Sequence, residues 1–294
     1  MKILITGATG MFGGALVRQL AGQEGHVVKA LVRSLDKAKQ QGLNQLKNIG
    51  LVVGDLEKPD TLESALEGID RVFLVSPMKE GLDTLEINLI EAAQRKGVKQ
   101  IFKLYGAVKH KGDYLIELHN RSLRYLKDSG LKWTLISPNS VMESSFFPLV
   151  ESIKEENAIY GCTSRHRVGF IALNDVVKAA AKTLITHGHE GKDYQLTGPE
   201  SLNLYEVAER FSEVLEMPVR YIDLSEKEFE EILFEALGKS RKEIEIEVMC
   251  HMRAWNEDGA DLVTDTFEKI TGEKPTSVSD WIRQRSKAFQ LGVT

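Results

Sequence analysis

The segment Ile3-Leu4-Ile5-Thr6-Gly7-Ala8-Thr9-Gly10-Met11-Phe12-Gly13-Gly14 sets glycines three apart, directly behind a short apolar run and directly ahead of a helical pattern. A chain turning sharply from strand to helix needs Gly7, close approach to a pyrophosphate needs a bare position at Gly10, and tight helix-to-strand packing needs Gly13. Thr9, Met11 and Phe12 complete the loop, and the N–H groups and dipole of the helix that follows suit phosphates. The chemistry predicted is the binding of a dinucleotide. In such a unit the end of the second strand, roughly 20 residues past the loop, meets the adenosine ribose. Here that position is Arg33, with Lys37 one helical turn on. A guanidinium offers bidentate contact to a 2'-phosphate where an acid would repel it, so NADP(H) is preferred and NAD(H) remains possible. Both residues are also what an ordinary solvated surface carries. Further on, Asp55 can accept from an adenine amino group or hold a turn, and Leu56 can pack on the ring.

These residues need a sheet to place them. Short β-rich runs at 2–6, 27–32, 50–53, 71–75, 100–104 and 132–136 alternate with helical patterns at 12–22, 35–41, 59–67, 83–96 and 117–129. The alternation predicts an α/β fold, a doubly wound parallel sheet with right-handed helical crossovers. After Pro138 the rhythm loosens, with isolated strands expected at 168–172, 193–197 and 219–223. A helix at 174–187 is expected to return to the first sheet. Helices are also expected at 204–215 and from Ser225, whose spacing to Glu228 is that of a capping box. The division predicted is 1–138 plus a returning segment near 168–190, against a smaller α+β domain of 139–167 and 191–294.

Composition narrows the partners. The chain has 294 residues, with 38 Lys plus Arg against 43 Asp plus Glu and a net charge of -5. No basic block is long enough to track a phosphate backbone, which argues against nucleic acid. No apolar stretch reaches the roughly 18 residues of a membrane span, and the opening apolar run is too short for a secretion signal. Cys162 and Cys250 lie far apart, outside any metal or disulfide pattern. The expectation is a cytoplasmic protein, monomer or homodimer, acting on a small molecule.

The order and spacing of further segments resemble the NmrA-like branch of the atypical short-chain dehydrogenase/reductases, of the triphenylmethane reductase and quinone oxidoreductase type. They are the glycine loop, Gly54-Asp55-Leu56, Phe73-Leu74-Val75-Ser76-Pro77, Ser129 to Pro138, Ile171 to Val177, Gly191 to Pro199 and Thr271-Gly272-Glu273-Lys274-Pro275. The resemblance implies a Rossmann domain, a C-terminal substrate domain and a cleft between them, with Ser76, Pro77, Pro138 and Asn139 joining the cofactor contacts. It also implies hydride transfer from NAD(P)H to a quinone-like or azo acceptor, or, as in non-catalytic members, a cofactor-sensing regulator.

Classical short-chain reductases use a Ser after strand five and a Tyr-x-x-x-Lys pair on the next helix. Tyr105 stands at the serine position, His119 at the Lys position and Leu115 at the Tyr position, with Tyr114 out of register. The pair is absent, and Tyr105 and His119 are the catalytic candidates. Ser140, Val141 and Met142 are expected to line the nicotinamide end with Asn139, and Phe146 and Phe147 to form aromatic walls or core. His187 and His189 invite a metal reading but lack a third ligand, so none is expected. Cys162 is a reactive thiol or an incidental one, the Arg165-His166-Arg167 cluster an anion site or a solvated loop. The glutamates near 225–237 are an acidic partner face or a solvated one.

Overall fold

Residues 1–106, 110 and 112–290 are described in a computed structural model. The first half runs β1 Lys2–Ile5, α1 Met11–Leu20, β2 Val27–Val32, α2 Leu35–Gln40, β3 Ile49–Val53, α3 Leu62–Ala65, β4 Arg71–Leu74, α4 Leu82–Arg95, β5 Gln100–Leu104, α5 Tyr114–Asp128 and β6 Lys132–Pro138. It continues with β7 Ser140–Val141, α6 Met142–Phe146, α7 Val150–Glu156, β8 Ala158–Gly161, β9 Phe170–Ile171, α8 Leu173–Ile185 and β10 Lys192–Leu196. Then come α9 Leu204–Leu215, β11 Arg220–Asp223, α10 Glu226–Leu237, α11 Arg241–Ile244, α12 Cys250–Trp255, α13 Thr266–Thr271 and α14 Val278–Arg285.

Seven strands form one sheet in the order β10-β6-β5-β4-β1-β2-β3. Neighbours from β3 through β6 pair in parallel. Parallel strands covered by helices on both faces lose the usual polar alternation, and Ile3, Leu4 and Ile5 are accordingly fully buried. The strand order reverses direction between β1 and β4, the point at which doubly wound sheets bind ligands beyond their carboxyl ends. This is a Rossmann-like α/β fold.

The chain divides into two compact units, Met1–Tyr105, Leu115–Ser137 and Val176–Tyr194 against Gly106–Tyr114, Pro138–Asp175 and Gln195–Thr294. In the first unit, α8 returns to the sheet and is fastened there by Arg71. Its guanidinium, 5% exposed, donates to the carbonyls of Leu184 and Thr186 at the helix end. The second unit holds two short parallel pairs, β11 with β8 and β7 with β9. Neither β7 nor β8 is expected from sequence, because two- and four-residue strands give too little periodicity to register. Its core gathers Phe146, Phe170, Phe211, Trp281 and Phe289. Among the described residues no helix is long and apolar enough to cross a membrane.

Candidate functional site

The loop behind β1 is built from contacts that leave no slack. Gly7 adopts φ +58°, and an added Cβ would stand 3.0 Å from Val75 Cγ1 and 3.2 Å from its carbonyl oxygen. Thr6 Oγ1 donates to Val75 O at 2.7 Å and accepts from Val75 N at 2.8 Å, stitching the ends of β1 and β4 together. At Gly13 a Cβ would lie 2.4 Å from Gly7 O and 2.6 Å from Thr6 O, so α1 can approach β1 only through a glycine. Gly10 has an ordinary φ of -95°, and the nearest atom to an added Cβ is Gly7 O at 3.2 Å. Of the three, its bareness is the least demanded by the chain itself. Among the described residues no side chain caps α1, whose first residue, Met11, is 42% exposed. Thr9 and Phe12 lie half-buried beside it.

Arg33 and Lys37 are both exposed. Neither is drawn into an ion pair among the described residues. Ser34 caps α2 by accepting from Lys37 N at 3.3 Å, which sets Lys37 in the first turn after β2. The two adenine-side candidates each have contacts within the fold. Leu56 is 9% exposed and packs among Leu31, Leu62, Val72 and Leu74, because the chain dips back into the core after Gly54. Asp55 commits Oδ1 to the N–H of Glu57 in a tight turn, at 3.1 Å.

On the other side of β1, a set of side chains converges behind β5. Lys103, wholly buried, donates to Glu86 Oε2, and Ser122 donates to the same oxygen. Glu86 Oε1 accepts from Ser76 Oγ at 2.9 Å. Lys103 Nζ also lies 3.5 Å from His119 Nδ1. Burial alone would raise the Glu86 pKa, but the charge of Lys103, that of His119 when protonated in acid, and the donated hydrogen bonds overcome it and hold the carboxyl below its usual range. Tyr105 is 5% exposed, donates to Asn120 Oδ1 at 2.7 Å and meets the His119 ring edge-on at a centroid distance of 6.0 Å. Burial first, then the Asp193 and Glu117 carboxylates, push its phenol up to about 12. Leu115, at the position of the classical tyrosine, is buried, and Pro77 is exposed beyond β4.

Comparison with known proteins fits this geometry. Residues 7–174 match a family model described as NAD(P)H-binding. The chain belongs to the NAD(P)H-binding family. It is 30% identical over 292 residues to an NAD(P)H azoreductase of Xenophilus azovorans, covering 98% of this chain and 99% of the relative. Among solved structures it is similar to the NADPH-dependent quinone oxidoreductase of Escherichia coli complexed with NADPH. There the TM-score is 0.86 at 25% identity, covering 97% of this chain and 99% of that one. The triphenylmethane reductase of Citrobacter sp. shares the fold, with a TM-score of 0.85 at 24% identity over 98% of this chain and 100% of that one.

Most of the remaining residues chosen from the sequence of this NAD(P)H-binding protein have contacts within their own unit. In the second unit, Pro138 is buried, and Asn139 donates from Nδ2 to Ala260 O at 3.0 Å while its buried Oδ1 has no partner among the described residues. Phe146 belongs to the core, against Phe170 at 5.0 Å, and Phe147 rests on Trp281 at 5.4 Å. Arg167 pairs with Glu206 at 2.8 Å, and Arg165 stacks on Tyr205. Cys162 is buried, its thiol pushed up to about 11 chiefly by desolvation, which disfavours the reactive thiolate. On α10, Glu230 and Glu231 pair with Arg241. In the first unit, His187 Nδ1 lies 3.1 Å from Arg71, and His189 bonds Thr186 and Tyr194.

Sequence reasoning missed Glu86, Lys103 and Ser122. One signal was available, a lysine in the middle of the otherwise apolar strand Ile101-Phe102-Lys103-Leu104 at the centre of a sheet.

Proposed function

We propose that the protein is an NADPH-preferring reductase that passes hydride to a quinone-like, azo or related conjugated acceptor, in the cytoplasm, as a monomer or homodimer. The observation that carries the reading is the uncapped start of α1 behind Gly7 and Gly13, at the point where the sheet reverses. Full-length similarity to an azoreductase supports the acceptor class.

The residues present fit the cofactor. An uncapped helix N-terminus reached through a glycine loop receives a diphosphate, and two exposed cations without carboxylate partners among the described residues suit a 2'-phosphate. When bound, the nicotinamide supplies the hydride. The chain's own task is to orient the acceptor and answer the charge that develops on it. In this reading His119 donates a hydrogen bond to that charge. Tyr105 keeps its proton and backs the His119 ring. A reduced quinone or azo group can take its proton from water, so the leucine at position 115 does not stop the reaction.

The test is NADPH oxidation on adding a panel of quinones and azo dyes. Acceptor-dependent oxidation is expected. Tight NADPH binding without it would favour the second reading, an NADP(H) sensor of the NmrA type, to which the buried Leu115 in place of a catalytic tyrosine points.

A further inference from the structure

We infer that the buried Glu86–Lys103 pair is a positioning device that holds His119 neutral, with its single ring proton on Nε2. The inference deepens the proposed function and rests on His119 being the residue that meets the acceptor.

The argument is one of donors and acceptors. An ammonium has three N–H donors and no acceptor. Lys103 gives one to Glu86 Oε2 and faces His119 Nδ1 at 3.5 Å, the long edge of hydrogen-bond range. An imidazolium, or the tautomer protonated at Nδ1, would point an N–H at that ammonium, donor against donor. Only a lone pair at Nδ1 suits the contact, and in a neutral imidazole the proton then sits on Nε2. Glu86 would by charge alone favour the imidazolium, but its oxygens are already engaged. Oε2 takes Lys103 and Ser122, and Oε1 takes Ser76. Ser122 has one proton, and a carboxylate is a stronger acceptor for it than the His119 carbonyl at 3.0 Å. Among the described residues, Lys103 enters from β5, Glu86 from α4 and Tyr105 from the end of β5, so the contacts of the imidazole include an ammonium, an engaged carboxylate and the edge of a phenol.

Such a pair is costly to bury, and well-packed neutral side chains of similar volume can replace one without loss of stability. Its presence behind a candidate catalytic ring is explained by what it does to that ring. A neutral Nε2–H donor answers a developing oxyanion without first having to gain a proton. The same Glu86 carboxylate also fixes Ser76 at the end of β4, so residues from two strand ends are keyed to one buried group.

The test is nitrogen-15 NMR of the histidine rings in the full chain at neutral pH, assigned through the loss of signals in His119→Ala. The expected result is a bare Nδ1 and a protonated Nε2 for His119. In the neutral double variant Glu86→Gln/Lys103→Met, shown to be folded by its amide spectrum, the preference for Nε2 is expected to give way to a mixture of tautomers. An Nδ1–H tautomer, a mixture or an imidazolium in the unaltered protein would overturn the inference, as would an unchanged preference in the folded double variant. Quinone reduction by His119→Ala is measured separately. Undiminished turnover there would refute the assigned role of His119 in catalysis while leaving the nitrogen signals of the unaltered protein as they stand.

Discussion

The loop behind β1 is made almost wholly of backbone, whereas the cluster behind β5 is made of side chains drawn from α4, β5 and α5. In the loop, position is set by sterics between near neighbours, with Gly13 pressed on Gly7 and Thr6. In the cluster it is set by charges that meet across the fold, Lys103 with Glu86 and His119. The contrast suits the two tasks. Holding a diphosphate requires a rigid row of N–H groups, which backbone provides at no cost in side-chain entropy. Steering a proton requires groups whose protonation can be tuned, and only side chains have that freedom.

Four measurements would sharpen or break the contrast. Gly13→Val should do most, because the new side chain meets backbone that cannot give way. A loss of about 3 kcal/mol or more is expected for such overpacking, read by thermal unfolding, and a melt like the parent's would show that the loop has slack after all. His119→Ala tests the other region. Turnover with a quinone should fall about a hundredfold, the scale for removing one charge-stabilising donor, while the melting temperature holds.

Next in size is Arg33→Glu. Loss of a charged hydrogen bond worth about 1.5–3 kcal/mol corresponds to roughly tenfold to hundredfold weaker NADPH binding by calorimetry. NADH should be affected far less, and equal losses would remove the basis for the 2'-phosphate contact. The smallest effect belongs to Tyr105→Phe, which gives up the bond to Asn120, about 1 kcal/mol at neutral pH. The Tyr105 phenol is raised from 10.0 to about 12, so the proton is held more tightly in the folded state than in the unfolded one. Its contribution is therefore complete below pH 10 and is lost as pH rises toward 12. Alkaline melts should show the unaltered protein losing stability over that window more steeply than the phenylalanine variant, and parallel curves would contradict the assignment.

Much of the first unit was legible from residue order. The strands β1 to β6 lie within a residue or two of their expected bounds, since an apolar run between turn residues can hardly fold otherwise in a parallel sheet. Position 56 shows the limit. Leu56 follows the expected motif, yet how far its side chain enters the core depends on how the chain turns after Gly54, and only the fold shows it among Leu31, Leu62 and Val72. Phe146 and Arg167 repeat the lesson, since an aromatic or a cation in a string of letters has no stated neighbour until Trp281 or Glu206 is folded against it.

By itself, the sequence determined the glycine loop, the strand-helix order and the cationic end of β2, because each depends on residues that are consecutive or one turn apart. Only the tertiary structure decided which groups surround His119. Glu86, Lys103 and Ser122 stand on separate elements. They meet because β4 and β5 pair in parallel and the buried sides of α4 and α5 bring Glu86 and Ser122 to one ammonium. Burial then makes that meeting count, since opposite charges removed from water attract far more strongly than the same charges on a surface.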